Sequence, residues 1–316
     1  MSEPKNGVCV VGSFMMDLTA YAPRHPAAGE TLSGTSFVQS LGGKGFNQAV
    51  ASRRAGAHTS IIGQVGDDTF GHAFVRMLGH ENILTEGVTL NRTNGTGVGL
   101  LVVTPDGQNS IITVAQANSD VTPATILDHR NLIESAKVLL LQFELPIAAA
   151  QQAATIARNS GTTTILNPAP FRDIPKDLLE CCDLIVPNEI ELKQWLQEAP
   201  HSRIPLPDSA RQLAEQTGTD VIVTLGSKGV LIARSVGEPD VVPGHDVEAV
   251  DTVGAGDTFC GHMAALIAQG ANLRHATAQA NAAAALAVTR PGSSKSAPTT
   301  DEVLAFIGSK SGEDHS

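Results

Sequence analysis

A glycine-rich turn that opens into a helix carries the most informative chemistry in the sequence. The segment Asp251-Thr-Val-Gly-Ala-Gly-Asp257 precedes apolar residues at i, i+4, i+7 and i+8 from Phe259, the spacing of one buried helix face. The first N–H groups of such a helix, at Gly254, Ala255, Gly256 and Asp257, can bind an anion such as a transferring phosphoryl group. The Asp257 carboxylate could cap the helix or act as a base. The glycines before it let a ligand approach the backbone closely, which favours the role of a base.

A second glycine-rich turn, Gly42-Gly43-Lys44-Gly45-Phe46-Asn47, also precedes a helical pattern. It matches neither the phosphate-binding G-x-x-x-x-G-K-[ST] loop nor the dinucleotide fingerprint G-x-G-x-x-G. By itself, this turn indicates only that something polar or anionic approaches the backbone.

Polar residues follow most of the apolar runs that predict strands. They are Gly12 to Asp17, Glu144, Asn167, Asn188 with Glu191, and Thr224 to Gly229. Singly, such residues more often form turns or caps. Parallel strands, however, bring their carboxyl ends to one edge of a sheet, where ligands bind. The concentration of carboxylates and amides therefore favours a ligand site at this edge.

The elements that must position these residues predict an α/β fold. Short apolar runs alternate with helical patterns after about residue 120, which indicates a doubly wound, mostly parallel central sheet with helices on both faces. Val8 to Val11 and Ser60 to Val65 fit the same sheet. Residues 17–39 and 97–116 look instead like antiparallel strands, which we interpret as a small β-sheet lid, with edge strands of the main sheet as the alternative. We expect residues 1–316 to form one domain.

Composition limits the partners and the compartment. With 21 basic and 32 acidic residues, the net charge of −11 argues against a nucleic-acid or anionic-membrane partner. No apolar stretch approaches the roughly 20 residues that cross a bilayer, and Met1 to Gly7 show no signal-peptide pattern. The four cysteines form no C-x-x-C pair, and the ten histidines suggest no cluster, so we assign them no role. We predict a cytoplasmic protein with reduced thiols.

Both glycine-rich segments resemble the signatures of the ribokinase family of carbohydrate and nucleoside kinases. The likeness runs from Val8 to about Ile307, and Asn188-Glu189-Ile190-Glu191 matches the N-x-x-E element that the family uses near magnesium and phosphate. Gly-Gly-Lys-Gly-x-Asn-Gln-Ala, Leu-Asn-Pro-Ala-Pro and Ala-Val-Asp-Thr are similar to the members that phosphorylate ribose. The resemblance implies ATP-dependent phosphorylation of D-ribose at its 5-hydroxyl, with Mg²⁺, an activating K⁺ and a homodimer formed through the lid.

The resemblance also implies a role for each matching residue. Asp257 would be the base, with the anion hole formed by Gly254, Ala255, Gly256 and Asp257. The sugar would contact Met15, Met16, Asp17, Gly43, Lys44, Gly45, Phe46, Asn47 and Glu144. The nucleotide would contact Asn188, Thr224, Leu225, Gly226, Ser227, Lys228, Gly229, Gly256 and Asn281. K⁺ would bind at Asp251, Val253, Ala287, Arg290, Gly292 and Ser296, and Glu191 would act indirectly on Mg²⁺.

Two departures from the family pattern leave the substrate open. Met15 stands where many bacterial members have asparagine, so one polar contact to the sugar is lost. A thioether suits a sugar carbon without its hydroxyl, which makes 2-deoxyribose an alternative to ribose. Phe46 replaces a small residue and would either pack under the lid or narrow the sugar pocket. Other sugar or nucleoside kinases of the family also remain open.

Two alternative functions, from other classes of protein, each predict a different sequence feature. A nicotinamide-dependent oxidoreductase would carry the dinucleotide fingerprint after its first strand, where Gly12-Ser13-Phe14 stands instead. A nonenzymatic sugar or nucleotide sensor would most simply lack Asp257 or the Gly-Ala-Gly turn, and both are intact. The residues therefore favour the kinase.

Overall fold

The computed structural model describes residues 5–199 and 203–313, with side chains to residue 309. Met1 to Pro4, the start of the segment inspected for a signal peptide, lie outside the described residues. The strands are β1 (Val8–Val11), β2 (Met15–Tyr21), β3 (Ser36–Gly42), β4 (Thr59–Gly66), β5 (Val88–Asn91), β6 (Gly97–Val103), β7 (Asn109–Val114), β8 (Val138–Leu141), β9 (Thr163–Leu166), β10 (Leu184–Ile185), β11 (Asp220–Thr224), β12 (Gly229–Ala233) and β13 (Asp240–Pro243).

The helices lie between and after these strands. They are α1 (Lys44–Arg54), α2 (Thr69–His80), α3 (Pro123–Asp128), α4 (Arg130–Ser135), α5 (Ile147–Ser160), α6 (Lys176–Leu179), α7 (Glu189–Trp195), α8 (Leu206–Thr217), α9 (Ala255–Ala268), α10 (Leu273–Ala287) and α11 (Thr300–Glu313). None of the helices in the described ranges is both long enough and apolar enough to span a membrane.

The central sheet is mostly parallel, as the sequence predicts. Its order is β13-β12-β11-β10-β9-β8-β1-β4-β5, and only the pairs β11–β12 and β12–β13 are antiparallel. Strand β1 shows why the sheet is buried on both sides. Val8 and Val10 pack in one hydrophobic cluster with α1, α9 and α10, while Cys9 and Val11 pack in another with α5 and α8. Helices therefore cover both faces, and the prediction of a doubly wound sheet is confirmed.

Three strands of the central sheet were not predicted from the sequence. Strand β5 is a partly exposed edge strand, and β12 and β13 extend the opposite edge as antiparallel strands. The predictions rest on apolar runs that alternate with helices, and no α-helix separates β11, β12 and β13 within residues 220–243. Strand β13 positions the segment that follows it, and that segment borders a large cavity.

A separate four-stranded sheet has the order β3-β2-β6-β7. Pairing is antiparallel within β2–β3 and within β6–β7, and parallel between the two central strands β2 and β6. Strand β2 follows β1, and β6 follows β5, so both leave the same carboxyl edge of the parallel central sheet in the same direction. The predicted strand regions thus form their own sheet rather than edges of the main one, and we call it the small sheet.

Candidate active site

The turn before α9 has the backbone geometry of an anion site. Gly254 is the N-terminal cap of α9 and has φ of 79°, a left-handed conformation that favours glycine. A Cβ added to Gly254 would lie 2.9 Å from the Cα of Ser293, whereas no atom lies within 4 Å of a Cβ added to Gly256. Gly254 therefore lets the turn lie directly against Ser293. Gly256 leaves room for a ligand at backbone N–H groups that have no partner within the helix.

Asp257 lies in the first turn of α9 and is only 7% exposed. Its carboxylate accepts a hydrogen bond from Nδ2 of Asn47 at 2.9 Å and another from Nε2 of Gln48 at 3.0 Å. The Gln48 amide is fixed in turn, because its Oε1 accepts from Gln142 at 2.6 Å. Two neutral amides thus orient the carboxylate while leaving it able to take a proton.

Gln48 is a site residue that the sequence reasoning missed. It also donates to Oδ1 of Asn167 at 3.2 Å, so it links α1 to the end of β9 as well as to Asp257. The only available signal was its place directly after Asn47 in the second glycine-rich segment. Because Gln48 and Asn47 are adjacent on α1, one helical turn supplies both amides.

Lys44 and Glu144 lie side by side at the start of α1. The Glu144 carboxylate accepts from the backbone N–H of Lys44 at 2.9 Å and also from the hydroxyl of Ser13. Burial alone would lower the pKa of Lys44, but the carboxylates of Asp257, Glu144 and Glu191 outweigh it and raise that pKa. Lys44 is therefore a fixed positive charge among three acids, suited to holding polar groups of a ligand.

Asp17 lies on β2 of the small sheet between two glycines. A Cβ added to Gly42 or to Gly99 would lie 2.4 Å or 2.5 Å from an Asp17 carboxylate oxygen, so both neighbours must lack a side chain. Burial first, and then the Glu144 carboxylate, raise the pKa of Asp17 to about 6. Asp17 and Glu144 thus form an acidic pair where the small sheet meets the main sheet.

Asn188 and Glu191 form a capping box at the start of α7. Asn188 Oδ1 accepts from the N–H of Glu191 at 2.8 Å, and Glu191 accepts from the N–H of Asn188 at 2.8 Å. Burial, with help from the Asp257 carboxylate, raises the pKa of Glu191. The N-x-x-E element therefore caps its helix and still presents both side chains to the cavity beside Asp257.

Two cavities meet at Asp257. The smaller, of about 190 Å³, is lined by Lys44, Asn167, Ala169, Val186, Asn188, Glu191, Thr224, Gly254, Gly256, Asp257 and Cys260. The larger, of about 720 Å³, is lined by Gly226, Ser227, Gly229, Val230, Gly244, His245, Asp246, Val247, Ala249, Thr252, Ala255, Phe259, Asn281, Ala284, Ala285 and Val288. Asn188, Thr224 and Gly256 line both, so the cavities share a border beside the carboxylate.

Most of the predicted nucleotide contacts border the larger cavity. Leu225 and Lys228 are not among its lining residues: Leu225 packs against the hydrophobic core, and Lys228 is exposed. Residues 244–247 and Ala249, which follow β13, line the cavity and were missed. His245 is among them and packs against the Phe306 ring at 5.3 Å between centroids, although the sequence assigned no role to histidines. Because β13 was not predicted, nothing placed this segment at the sheet edge.

Five of the six predicted cation residues lie in two connecting segments that are joined by hydrogen bonds, and the sixth, Ala287, is the last residue of α10. Asp251 accepts from the N–H of Val253 at 3.0 Å and from the N–H of Gly292 at 2.9 Å. Ser296 donates to the carbonyl of Ser293 at 2.8 Å, and the Arg290 guanidinium pairs with Glu302 at 2.7 Å. The structure thus brings these loop residues, and the end of α10, together behind the anion-binding turn.

Two predicted sugar contacts have their side chains in the hydrophobic core. Phe46 is fully buried, with its ring centroid 5.0 Å from that of Phe74 and 6.3 Å from that of Phe14. Met16 packs in the same cluster. Met15 is also buried, but it lies on the Asp17 face of β2, and its sulfur accepts a hydrogen bond from Asn118 at 3.4 Å.

This arrangement suits transfer of a charged group to an alcohol, and the fold and the site together define a phosphotransferase of the α/β class. A model of the pfkB family of carbohydrate kinases matches residues 5–300. The chain therefore belongs to the pfkB family of carbohydrate kinases, which excludes the oxidoreductase alternative.

Similar proteins cover nearly the whole chain. Ribokinase of Bacillus subtilis is 36% identical over 296 residues, 94% of this chain and 97% of that protein. Deoxyribokinase of Salmonella typhi is 32% identical over 301 residues, 95% of this chain and 98% of that protein. The structure of Arabidopsis thaliana ribokinase complexed with ribose and ATP has a TM-score of 0.90 at 30% identity, covering 96% of this chain and 99% of that one.

Proposed function

We propose that the protein is an ATP-dependent ribokinase that phosphorylates D-ribose at its 5-hydroxyl. The observation that carries the proposal is the shared border of the two cavities, with Asp257 in the smaller cavity and Gly256 in both. A sugar held near Asp17 and Glu144 and a nucleotide in the larger cavity would meet at the anion-binding turn. The similarity to ribokinases over nearly the whole chain supports ribose and ATP as the pair of substrates.

The proposed mechanism uses Asp257 as general base. Its carboxylate takes the proton of the sugar hydroxyl as the oxygen bonds to the γ-phosphorus, and the bond to the bridging oxygen breaks, which releases ADP. The N–H groups of Gly254 to Asp257 stabilise the charge on the phosphoryl oxygens. Asn47 suits a sugar hydroxyl, since its Oδ1 is buried and accepts a hydrogen bond from none of the described residues.

Two metal ions complete the proposal. Glu191 and Asn188 line the smaller cavity beside the anion-binding turn, and Asn188 also lines the nucleotide cavity. Both residues fit a role near Mg²⁺, which would neutralise phosphate charge when bound. The hydrogen-bonded loops that carry Asp251 and Ser296 offer carboxylate, hydroxyl and carbonyl oxygens that fit K⁺ beside the turn. Replacing K⁺ by a bulky organic cation in the assay is expected to lower turnover.

The small sheet is proposed to act as a lid within a single domain and to form a homodimer contact. Phe37, Leu100 and Ile112 lie on one face of the small sheet by strand register, and they are 58%, 43% and 65% exposed. Among the described residues, no strand pairs with the outer edges of β3 and β7, which favours association with a second copy. Four free cysteines support a reducing, cytoplasmic location.

The proposed function is tested by ADP release from purified protein with ATP, Mg²⁺ and K⁺. Ribose, 2-deoxyribose, fructose and adenosine are compared in parallel, with Asp257→Ala as the control. We expect turnover on ribose and a loss of roughly 10²- to 10⁴-fold in the variant. No turnover on any of the four substrates would refute the proposal.

A second candidate, 2-deoxyribose, is favoured by Met15. Its thioether faces the Asp17 side of β2 and is held by Asn118, so it offers the sugar an apolar contact in place of an amide. The deoxyribokinase of Salmonella typhi is among the similar proteins. If Met15 sets the preference, Met15→Asn will raise the ribose to deoxyribose ratio of kcat/KM by about 10-fold or more. An unchanged ratio assigns the preference to other residues.

A further inference from the structure

Arg54, the last residue of α1, makes an unusual set of contacts for a residue outside the cavities. Its Nη1 donates to the carbonyl oxygens of Ser294 at 3.2 Å, Lys295 at 3.1 Å and Ala297 at 2.8 Å. Its Nε and Nη2 donate to the Glu81 carboxylate at 3.2 Å and 2.6 Å. The Arg54 and Glu81 side chains are only 23% and 14% exposed. Arg54 therefore ties α1 and the end of α2 to residues 294–297.

The segment that Arg54 holds lies directly behind the anion-binding turn. Ser293 packs so closely on Gly254 that no side chain fits at Gly254, as the 2.9 Å distance from an added Cβ to the Ser293 Cα shows. Ser294 also donates to the carbonyl of Leu41 at 3.3 Å, next to the glycine-rich turn that begins at Gly42. A shift of residues 293–297 would thus disturb the contact of Ser293 with Gly254 and weaken the hydrogen bond from Ser294 to β3.

Helix α1 consequently acts on the site from both ends. Its first turn supplies the Asn47 and Gln48 amides that orient Asp257, and its last residue fixes the segment behind Gly254. Arginine suits the role of fixing this segment, because its planar guanidinium can donate hydrogen bonds to carbonyl and carboxylate oxygens at the same time. The lysine ammonium is instead a compact point charge.

We propose that Arg54 is a positioning residue for phosphoryl transfer: by holding residues 294–297, it keeps the adjacent Ser293 against Gly254, so that the N–H groups at the start of α9 keep their direction relative to Asp257. This inference rests on the proposed function, in which that turn stabilises the transferring group. It concerns the chemical step and not sugar binding, since Arg54 lines neither cavity.

The test compares Arg54→Lys and Arg54→Ala with Arg53→Lys. Arg53 is the matched control, because it neighbours Arg54 on α1 and its guanidinium makes no hydrogen bond or ion pair with the described residues. Four quantities are measured: kcat for ribose, KM for ribose, the melting temperature, and amide hydrogen exchange over residues 253–257.

We expect Arg54→Lys to remain folded and to lose roughly 10- to 100-fold in kcat, while the KM for ribose changes by less than about twofold. Exchange at residues 253–257 should become faster, and Arg53→Lys should match the wild type. A folded variant with unchanged kcat, or with slower turnover but unchanged exchange at 253–257, overturns the inference, as does a change confined to the melting temperature.

Hydrogen exchange separates this inference from the proposed function. If the wild-type protein phosphorylates none of the sugars tested, the proposed function fails, and exchange alone then decides whether Arg54 fixes the turn. Faster exchange at residues 253–257 in both Arg54 variants supports the positioning role, and unchanged exchange in both refutes it.

Discussion

Asp17 shows how the surroundings of one carboxylate set its chemistry. It is enclosed by the small sheet and faces Glu144, and burial followed by that neighbouring charge raises its pKa from 3.8 to about 6. In the folded protein Asp17 thus retains a proton between pH 4 and 6 that it loses when unfolded. The free energy of unfolding therefore decreases as pH rises through this window and levels off above it.

Asp17→Asn removes this titration. We expect the variant to be more stable than the wild type by about 1–3 kcal/mol at pH 8, and to differ little from it at pH 4. Urea unfolding at both pH values measures the effect, and Asp128→Asn, at an exposed position, serves as the control. A stability gain that is equal at pH 4 and pH 8 would contradict the raised pKa.

For the sugar, the same titration predicts weaker binding in acid. A protonated Asp17 can accept fewer hydrogen bonds from sugar hydroxyls, so the KM for ribose should rise as pH falls below about 6. Asp17→Asn should raise KM at every pH and flatten its pH dependence. Steady-state kinetics between pH 5 and 8 test this, and a KM that is independent of pH in the wild type contradicts it.

Gln48 is expected to act through Asp257. Gln48→Ala removes one of the two amides on the carboxylate and leaves the Gln142 amide without its acceptor. We expect kcat to fall by roughly 10-fold or more with a smaller change in KM, because the base loses its orientation. Gln151→Ala, at an exposed amide whose partner is Asp177, is the control for loss of a side-chain hydrogen bond. Equal effects of the two substitutions on kcat would argue against the role.

Among the elements, α1 and β2 depend on an aromatic cluster of Phe14, Phe46 and Phe74. The ring of Phe46 meets the other two edge-on or tilted, and all three are fully buried. Of the two sequence-based interpretations of Phe46, this burial favours packing. The cluster anchors α1 between the small sheet and α2, and so fixes the helix that carries Lys44, Asn47 and Gln48.

Phe46→Ala should therefore cost stability rather than change specificity. We expect a loss of about 3–5 kcal/mol in the free energy of unfolding, from lost burial and the cavity left behind. The ratio of ribose to fructose turnover should stay within about twofold for the protein that remains folded. Chemical denaturation and parallel sugar assays measure both, and an altered ratio with unchanged stability would restore the pocket-narrowing interpretation.

For the whole molecule, the exposed apolar face of the small sheet bears on assembly. A homodimer of the 32.8 kDa chain would cover Phe37, Leu100 and Ile112, which lie on the face opposite Asp17. Ile112→Lys would place a charge in that contact, and we expect it to shift the sedimenting species from dimer to monomer.

Val236→Lys is the matched control for this prediction. Val236 is apolar and 85% exposed, but it lies in the turn between β12 and β13, away from the small sheet. It should leave the sedimentation coefficient unchanged. A wild-type protein that sediments as a monomer at micromolar concentration, or an Ile112→Lys variant that remains dimeric, contradicts a contact through this face.

The sequence by itself determined the class of fold and the centre of the chemistry. Continuous apolar runs such as Val138 to Leu141 predict buried parallel strands, because only strands covered on both faces lack polar alternation. The two glycine-rich turns likewise indicate helix starts. Gly43 and Gly254, which precede the two helices, have backbone conformations that few residues other than glycine tolerate. Local backbone conformation depends on residues that are adjacent in the sequence, so it can be predicted without coordinates.

Only the tertiary structure decided which distant residues meet. Gln48 and Asp257 lie 209 positions apart, and Arg54 reaches carbonyls more than 240 positions away. The start of the antiparallel strand β12, and the segment 244–249 that follows β13, border a cavity for which no local pattern exists. Contacts of this kind depend on how whole helices and sheets pack, and hydrophobic periodicity constrains which face is buried but not which residue it touches.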